Sequence, residues 1–155
     1  MNTLIKMIRV GHTHLLLAGL GAALAACAGH EHAPAHDEQA VEHLPAQGAM
    51  GPYSAAVTAG DLVFFSGKIG ERGGSFEREV ETAIDALEAE LKRLDLGLGD
   101  VTAVTVYLTD MSTFAEMNGV YGQRFPEPWP ARTTVAVAGL PGGARIELSA
   151  TAVRR

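Results

Sequence analysis

An arginine and a glutamate near the C-terminus carry the chemistry this chain can offer. Arg132 stands in Pro130-Ala131-Arg132-Thr133-Thr134-Val135 and Glu147 in Ala144-Arg145-Ile146-Glu147, two short alternating runs separated by a Gly139-Leu140-Pro141-Gly142-Gly143 turn. A guanidinium is a permanent cation whose planar fork matches a carboxylate bidentately. A glutamate can orient water and accept its proton, an effect worth about 10² to 10⁴-fold in rate. Side chains alternate faces along a strand, so Arg132 shares a face with Thr134 and Ala136, while Glu147 points opposite Ile146 and Leu148. If those faces meet, a cation and a carboxylate share a pocket. A structural ion pair is the alternative for the same two residues.

The other reactive residues narrow the chemistry by where they fall. All histidines lie at or before His43, and the only cysteine is Cys27. A Ser-His-Asp triad, a Cys-His pair or a histidine-liganded catalytic zinc therefore has no candidates in the last hundred or so residues of the chain. Neither Gly73-Gly74 nor the 139–143 turn fits a phosphate-cradling pattern. No cofactor is expected, and acid-base work must fall to carboxylates, tyrosines, lysine or water.

Seven elements are expected to position the pair. Tyr53 to Thr58 and Leu62 to Lys68 read as a hairpin turning at Gly60-Asp61. Ser75 can cap a helix in which Phe76, Val80, Ala83, Ile84, Leu87, Leu91 and Leu94 recur at helical spacing, with Glu77, Glu81, Asp85, Glu88 and Lys92 on the other face and Gly97 and Gly99 ending it. Val101 to Leu108 is apolar on both faces, as an interior strand should be. A second helix starts at Thr113, paired with Glu116 in a capping box, runs through Phe114, Met117, Tyr121 and Phe125, and stops at Pro126, Pro128 and Pro130. The order ββαβαββ predicts an α+β domain, a mixed sheet with both helices on one face. The partly polar other face, with Thr105, Tyr107, Thr134, Glu147, Ser149 and Thr151, suggests packing against further subunits.

Upstream of the domain, residues 1–26 read as an export signal: Lys6 and Arg9 precede an apolar run from Leu15 to Ala26 that is too short to span a bilayer. Leu24-Ala25-Ala26-Cys27 resembles a bacterial lipobox, which makes Cys27 a lipidation site and places the protein at the cell envelope, extracytoplasmic and anchored through lipid. Residues 27–49 read as a flexible tether, and residues 50–155 as the folded domain. His30, His32, His36 and His43 fall in the tether. Such a tract can chelate a metal, but scattered tether histidines are more often incidental, and no metal site is assigned. Removing residues 1–26 leaves ten basic against eighteen acidic side chains, a net charge of −8. That argues against nucleic acid as a partner.

Five patches occur in order: Gly51-Pro52-Tyr53-Ser54, Ser66-Gly67-Lys68-Ile69, Phe114 to Tyr121, Pro130-Ala131-Arg132-Thr133 and Ile146-Glu147-Leu148. Together they resemble the RidA (YjgF/YER057c/UK114) family over residues 50–155. The resemblance implies a chorismate-mutase-like fold assembled as a homotrimer, with clefts between neighbouring subunits. It also implies an imine and enamine deaminase that hydrolyses reactive 2-imino acids of the 2-iminopropanoate type to 2-keto acids and ammonia. In that reading Arg132 binds the substrate carboxylate, Glu147 holds or activates water, and Tyr53, Ser66 and Asn118 line the pocket. Thr134 stands where many relatives have cysteine, Lys68 where the family often has an amide, and the loop after Ile69 is shorter. A competing reading is a non-catalytic envelope protein that binds a carboxylated metabolite or holds unfolded clients.

Overall fold

A computed structural model describes residues 41–155. The signal segment, Cys27, His30, His32 and His36 lie outside the described residues. Among those described, no helix is long and apolar enough to cross a membrane.

The elements are β1 (Glu42–Pro45), β2 (Ser54–Ala59), β3 (Leu62–Ile69), α1 (Phe76–Lys92), β4 (Val101–Leu108), α2 (Phe114–Arg124), β5 (Ala131–Ala136) and β6 (Ile146–Val153). They form one mixed sheet in the order β1-β2-β3-β6-β4-β5, antiparallel except for the parallel β4–β5 pair. The expected α+β class, hairpin and interior β4 are all present. The two-residue hairpin loop is possible because Gly60 takes φ 62°.

Both helices cover one face. Val80, Ile84, Leu87 and Leu91 of α1 and Met117 and Tyr121 of α2, with Phe125 just beyond, close over Val63, Phe65, Val104, Val106, Leu108, Ile146 and Leu148. The alternation along β6, buried at Ile146, Leu148, Ala150 and Ala152, leaves Glu147, Ser149 and Thr151 on the open face. That face also presents Phe64, which is 46% exposed.

Several boundaries differ from the sequence reading. The sheet begins before residue 50: β1, expected within the tether, pairs antiparallel with β2 from Glu42↔Thr58 to Leu44↔Ala56. Its four residues are too few to show a period, and only Leu44 packs against the core. His43 is therefore a strand residue, with Nδ1 3.2 Å from Ser54 Oγ. Ser75 caps α1 as expected, accepting from the Arg78 N–H at 3.2 Å. Its end is earlier than Gly97. Asp95 takes the left-handed φ of 58°, and the Leu96 and Asp95 N–H groups donate to the Leu91 and Lys92 carbonyls, a closure usually built on glycine. The Thr113–Glu116 capping box does not form. Thr113 instead donates through Oγ1 to the Asp110 carbonyl, and Asp110 caps a short 3₁₀ turn that leads into α2. The Ser112 backbone N–H on that carboxylate holds its pKa below the ordinary aspartate value.

Candidate functional site

The pairing register decides where the site residues go. Arg132 pairs with Val104 of β4, while Glu147 pairs with Tyr107 of the same strand. Val104 faces the helices and Tyr107 the open side. Arg132 and Glu147 are thus on opposite faces of the sheet, with β4 between their strands. Strand spacings of ~4.8 Å and a three-residue offset at ~3.3 Å each put their backbones about 14 Å apart. The pocket shared by the two side chains does not exist within one chain, and neither does an ion pair between them. Thr134 pairs with Val106 and so lies on the Arg132 side, not on the open face.

Around Glu147 the end of β3 approaches the start of β6. A β-bulge between Phe65 and Lys68 inserts Gly67 directly opposite the carboxylate; a Cβ there would lie 2.6 Å from Glu147 Cδ. A cavity of about 440 Å³ opens beside it, lined by residues that include Tyr53, Ser66, Gly67, Pro141 and Glu147. Tyr53 is 46% exposed. Ser66 Oγ donates 2.6 Å to the Ser54 carbonyl, which ties β3 to β2. Lys68 brings no free charge, because its ammonium lies 3.3 Å from Glu90 of α1. Glu147 has no hydrogen-bond or ion-pair partner among the described residues.

Around Arg132 the surroundings are aromatic. Its guanidinium lies 4.5 Å from the centroid of Tyr121 and 5.8 Å from that of Phe114, and Nη2 donates 2.7 Å to Asn118 Oδ1. No carboxylate of the described residues lies within ion-pairing distance, so most of its five donors stay available. Arg132, Asn118, Tyr121, Gly122, Trp129 and Pro130 border a second cavity of about 360 Å³. Tyr121 is buried and its hydroxyl has no partner among the described residues. Burial pushes that phenol up to about 12, against the opposing pull of the Arg132 guanidinium. It remains a neutral donor at physiological pH.

The candidates thus divide into two groups. Tyr53, Ser66 and Glu147 share one cavity, Arg132 and Asn118 share the other, and Thr134 lines neither. Tyr121 and Trp129 were not among the site residues read from the sequence. Tyr121 could have been found, since Met117, Asn118 and Tyr121 fall on one helical face. Trp129, between two prolines, carried no periodic signal. Buried Glu79 on α1 was also overlooked, though it lies three residues after Phe76 and four before Ala83 on the apolar stripe. Its Oε1 accepts from the Arg145 N–H at 2.7 Å and its Oε2 from Arg145 Nε at 2.6 Å. This fixes the chain two residues before Glu147.

An α+β domain with this sheet order, carrying two separate cavities of opposite charge character, defines the class. The family model described as Endoribonuclease L-PSP matches residues 43–154. The chain belongs to that family, which is the RidA/YjgF family its sequence resembles. TdcF of Escherichia coli K12, provisionally named a reactive intermediate deaminase, is 36% identical over 123 residues, 74% of this chain and 95% of TdcF. A RutC family protein of Pyrococcus abyssi is 38% identical over 112 residues, 68% of this chain and 88% of its own. Among solved structures, E. coli TdcF with bound serine superposes with a TM-score of 0.66 at 35% identity, covering 74% of this chain and 98% of that one. A YjgF family member from Neisseria meningitidis gives 0.69 at 28% identity, covering 76% and 98%.

Proposed function

We propose that the protein is an imine deaminase that hydrolyses 2-imino acids to 2-keto acids and ammonia, at a site completed between subunits of a homotrimer. The observation that carries this reading is Arg132, an exposed guanidinium stacked on Tyr121 with no acidic partner among the described residues. Such a cation is suited to the carboxylate of a substrate. Glu147 belongs to the other half-site, so the open face of one chain must meet the β5 edge of the next for the two to act together.

In that arrangement the substrate's carboxylate sits on Arg132 and its protonated imine carbon faces a water held by Glu147. Water oxygen bonds to C2 as the C=N π pair moves to nitrogen, and Glu147 takes the water proton. Glu147 returns that proton to nitrogen and then takes the hydroxyl proton as the C–N bond breaks and the carbonyl forms, and the proton finally leaves with ammonia as ammonium. The Tyr121 phenol, held protonated, takes no part as a base. The serine held by TdcF fits an amino-acid-like carboxylate ligand and also suits a second reading, in which this chain binds such a ligand without turning it over.

The test is to generate 2-iminopropanoate with an amino acid oxidase and to follow the imine surviving as its semicarbazone. Wild-type protein should accelerate its loss, and Arg132→Ala and Glu147→Gln should each reduce the effect by about 10²-fold or more. No acceleration over buffer would leave only the binding reading.

We place this activity at the cell envelope, with the protein held by lipid on Cys27. The lipobox-like Leu24-Ala25-Ala26-Cys27 supports this. Cys27→Ser should shift the protein from the membrane to the soluble fraction, and unchanged partitioning would overturn the anchor.

A further inference from the structure

The cavity beside Arg132 is polar at one end only. Arg132 and Asn118 supply its charge and hydrogen-bonding capacity, while Tyr121, Trp129, Pro130 and the bare backbone of Gly122 form the remainder. A Cβ added to Gly122 would meet nothing within 4 Å, so the space over α2 is open. Trp129 is 59% exposed. Its neighbours Pro128 and Pro130 stiffen the backbone on either side, and Pro130 biases the Trp129 backbone toward extended φ/ψ. A large apolar ring held at the rim of a hollow, beside a cation without an acidic partner, is a binding surface with two chemical ends.

Resting on the deaminase reading, we infer that Trp129 selects the substrate, and that the preferred class is 2-imino acids with a bulky branched or aromatic side chain. Reach decides the preference. Trp129 and Pro130 border the same cavity as Arg132, which sets where a ligand held by the guanidinium can extend. With the carboxylate on Arg132, the methyl group of 2-iminopropanoate ends short of the indole. An isobutyl or benzyl substituent spans the gap and covers the Trp129 and Pro130 faces. Burying that extra apolar surface favours the bulky substrates by at least about tenfold in kcat/KM.

Trp129 is the only tryptophan of the chain, which gives the test a readout besides turnover. Oxidase-generated imino acids from alanine, leucine and phenylalanine should be compared with full-length wild type, Trp129→Ala and Trp129→Phe. The leucine-to-alanine ratio of kcat/KM should exceed about ten in wild type, survive in Trp129→Phe and fall to about one in Trp129→Ala. A wild-type ratio near one, or a ratio that Trp129→Ala leaves intact, would overturn the inference while leaving the deaminase reading standing. In parallel, the fluorescence of Trp129 should be titrated with 4-methyl-2-oxopentanoate and with pyruvate. Saturable change with the first at a concentration at least tenfold lower than with the second supports the inference. Equal responses, or none, count against it. Absence of all hydrolysis would instead sink the deaminase reading, and the titration alone would then decide the pocket.

Discussion

Gly67 is where one missing side chain makes room for another. Its virtual Cβ would lie 2.6 Å from Glu147 Cδ and 3.0 Å from Cγ, so an alanine there must push the carboxylate aside. The group displaced is the end of a side chain, not backbone, and the cost in stability should stay below about 1 kcal/mol. Gly67→Ala should therefore unfold near the wild-type temperature yet hydrolyse imino acids about 10²-fold more slowly, as Glu147→Gln does. Wild-type turnover in this variant would show that the carboxylate position is not used. Tyr121 allows a second prediction on the same scale. Its folded-state pKa of about 12 lies above the ordinary value of 10, so the stability tied to the protonated phenol is fully present below pH 10 and is lost as pH rises toward 12. Denaturant midpoints measured from pH 8 to 12 should show this loss, and Tyr121→Phe should lack that component. At neutral pH the same variant should differ from wild type by less than about 1 kcal/mol, because the hydroxyl has no partner to lose. Arg132 and Glu147 were legible as candidates from residue type and pattern, whereas Asn118, Tyr53 and Ser66 came only through the family resemblance. The reason for glycine at 67 was not, because it is set by a carboxylate eighty positions away.

The elements show the same division between local and distant causes. α1, β4 and the β2–β3 hairpin were readable because each carries its own periodic signal and turn residue. β1 was not, because a four-residue edge strand exists only by pairing with β2. The end of α1 was misplaced because Asp95, not glycine, supplies the left-handed residue. The start of β6 depends on α1 through Glu79, whose side chain is 1% exposed and bonded to Arg145, whose own side chain is 42% exposed. That asymmetry makes the two halves of the pair unequal. Arg145→Ala leaves a buried carboxylate with only a backbone N–H to answer it, and should cost about 3 kcal/mol. Glu79→Gln keeps an acceptor for that N–H and frees the guanidinium toward solvent, so it should cost about 1 kcal/mol. Urea unfolding of both variants checks the order, and equal losses would mean that the charge on Glu79 is incidental. The contacts of Arg145 with the Gly74 carbonyl and the Phe76 ring, and of Arg72 with the Gly142 carbonyl, tie the 141–143 turn to the segment leading into α1. Pro141 in that turn walls the Glu147 cavity.

For the whole molecule, the decisive fact is that Arg132 and Glu147 lie on opposite faces of one sheet. Sequence parity put Arg132 with Thr134 correctly, but it assigned Thr134 to the open face beside Glu147, and it could not say that the two faces would fail to meet. That depends on β6 being inserted between β3 and β4, a choice of topology with no local signature. In the proposed trimer each site takes Arg132 from one chain and Glu147 from its neighbour, and this makes a prediction about mixtures. Arg132→Ala and Glu147→Gln chains, each inactive alone, should recover activity when unfolded together and refolded as mixed trimers. With random assembly from equal amounts, a given site needs an intact arginine on one side and an intact glutamate on the other, which occurs in about one quarter of sites. The mixture should therefore regain about one quarter of wild-type turnover in the semicarbazone assay. A site made of both residues from one chain cannot be rescued in this way, since every chain in the mixture lacks one of them. Recovery near zero, with trimers verified by sedimentation, would overturn the intersubunit site; recovery near one quarter would assign the two half-sites to different chains.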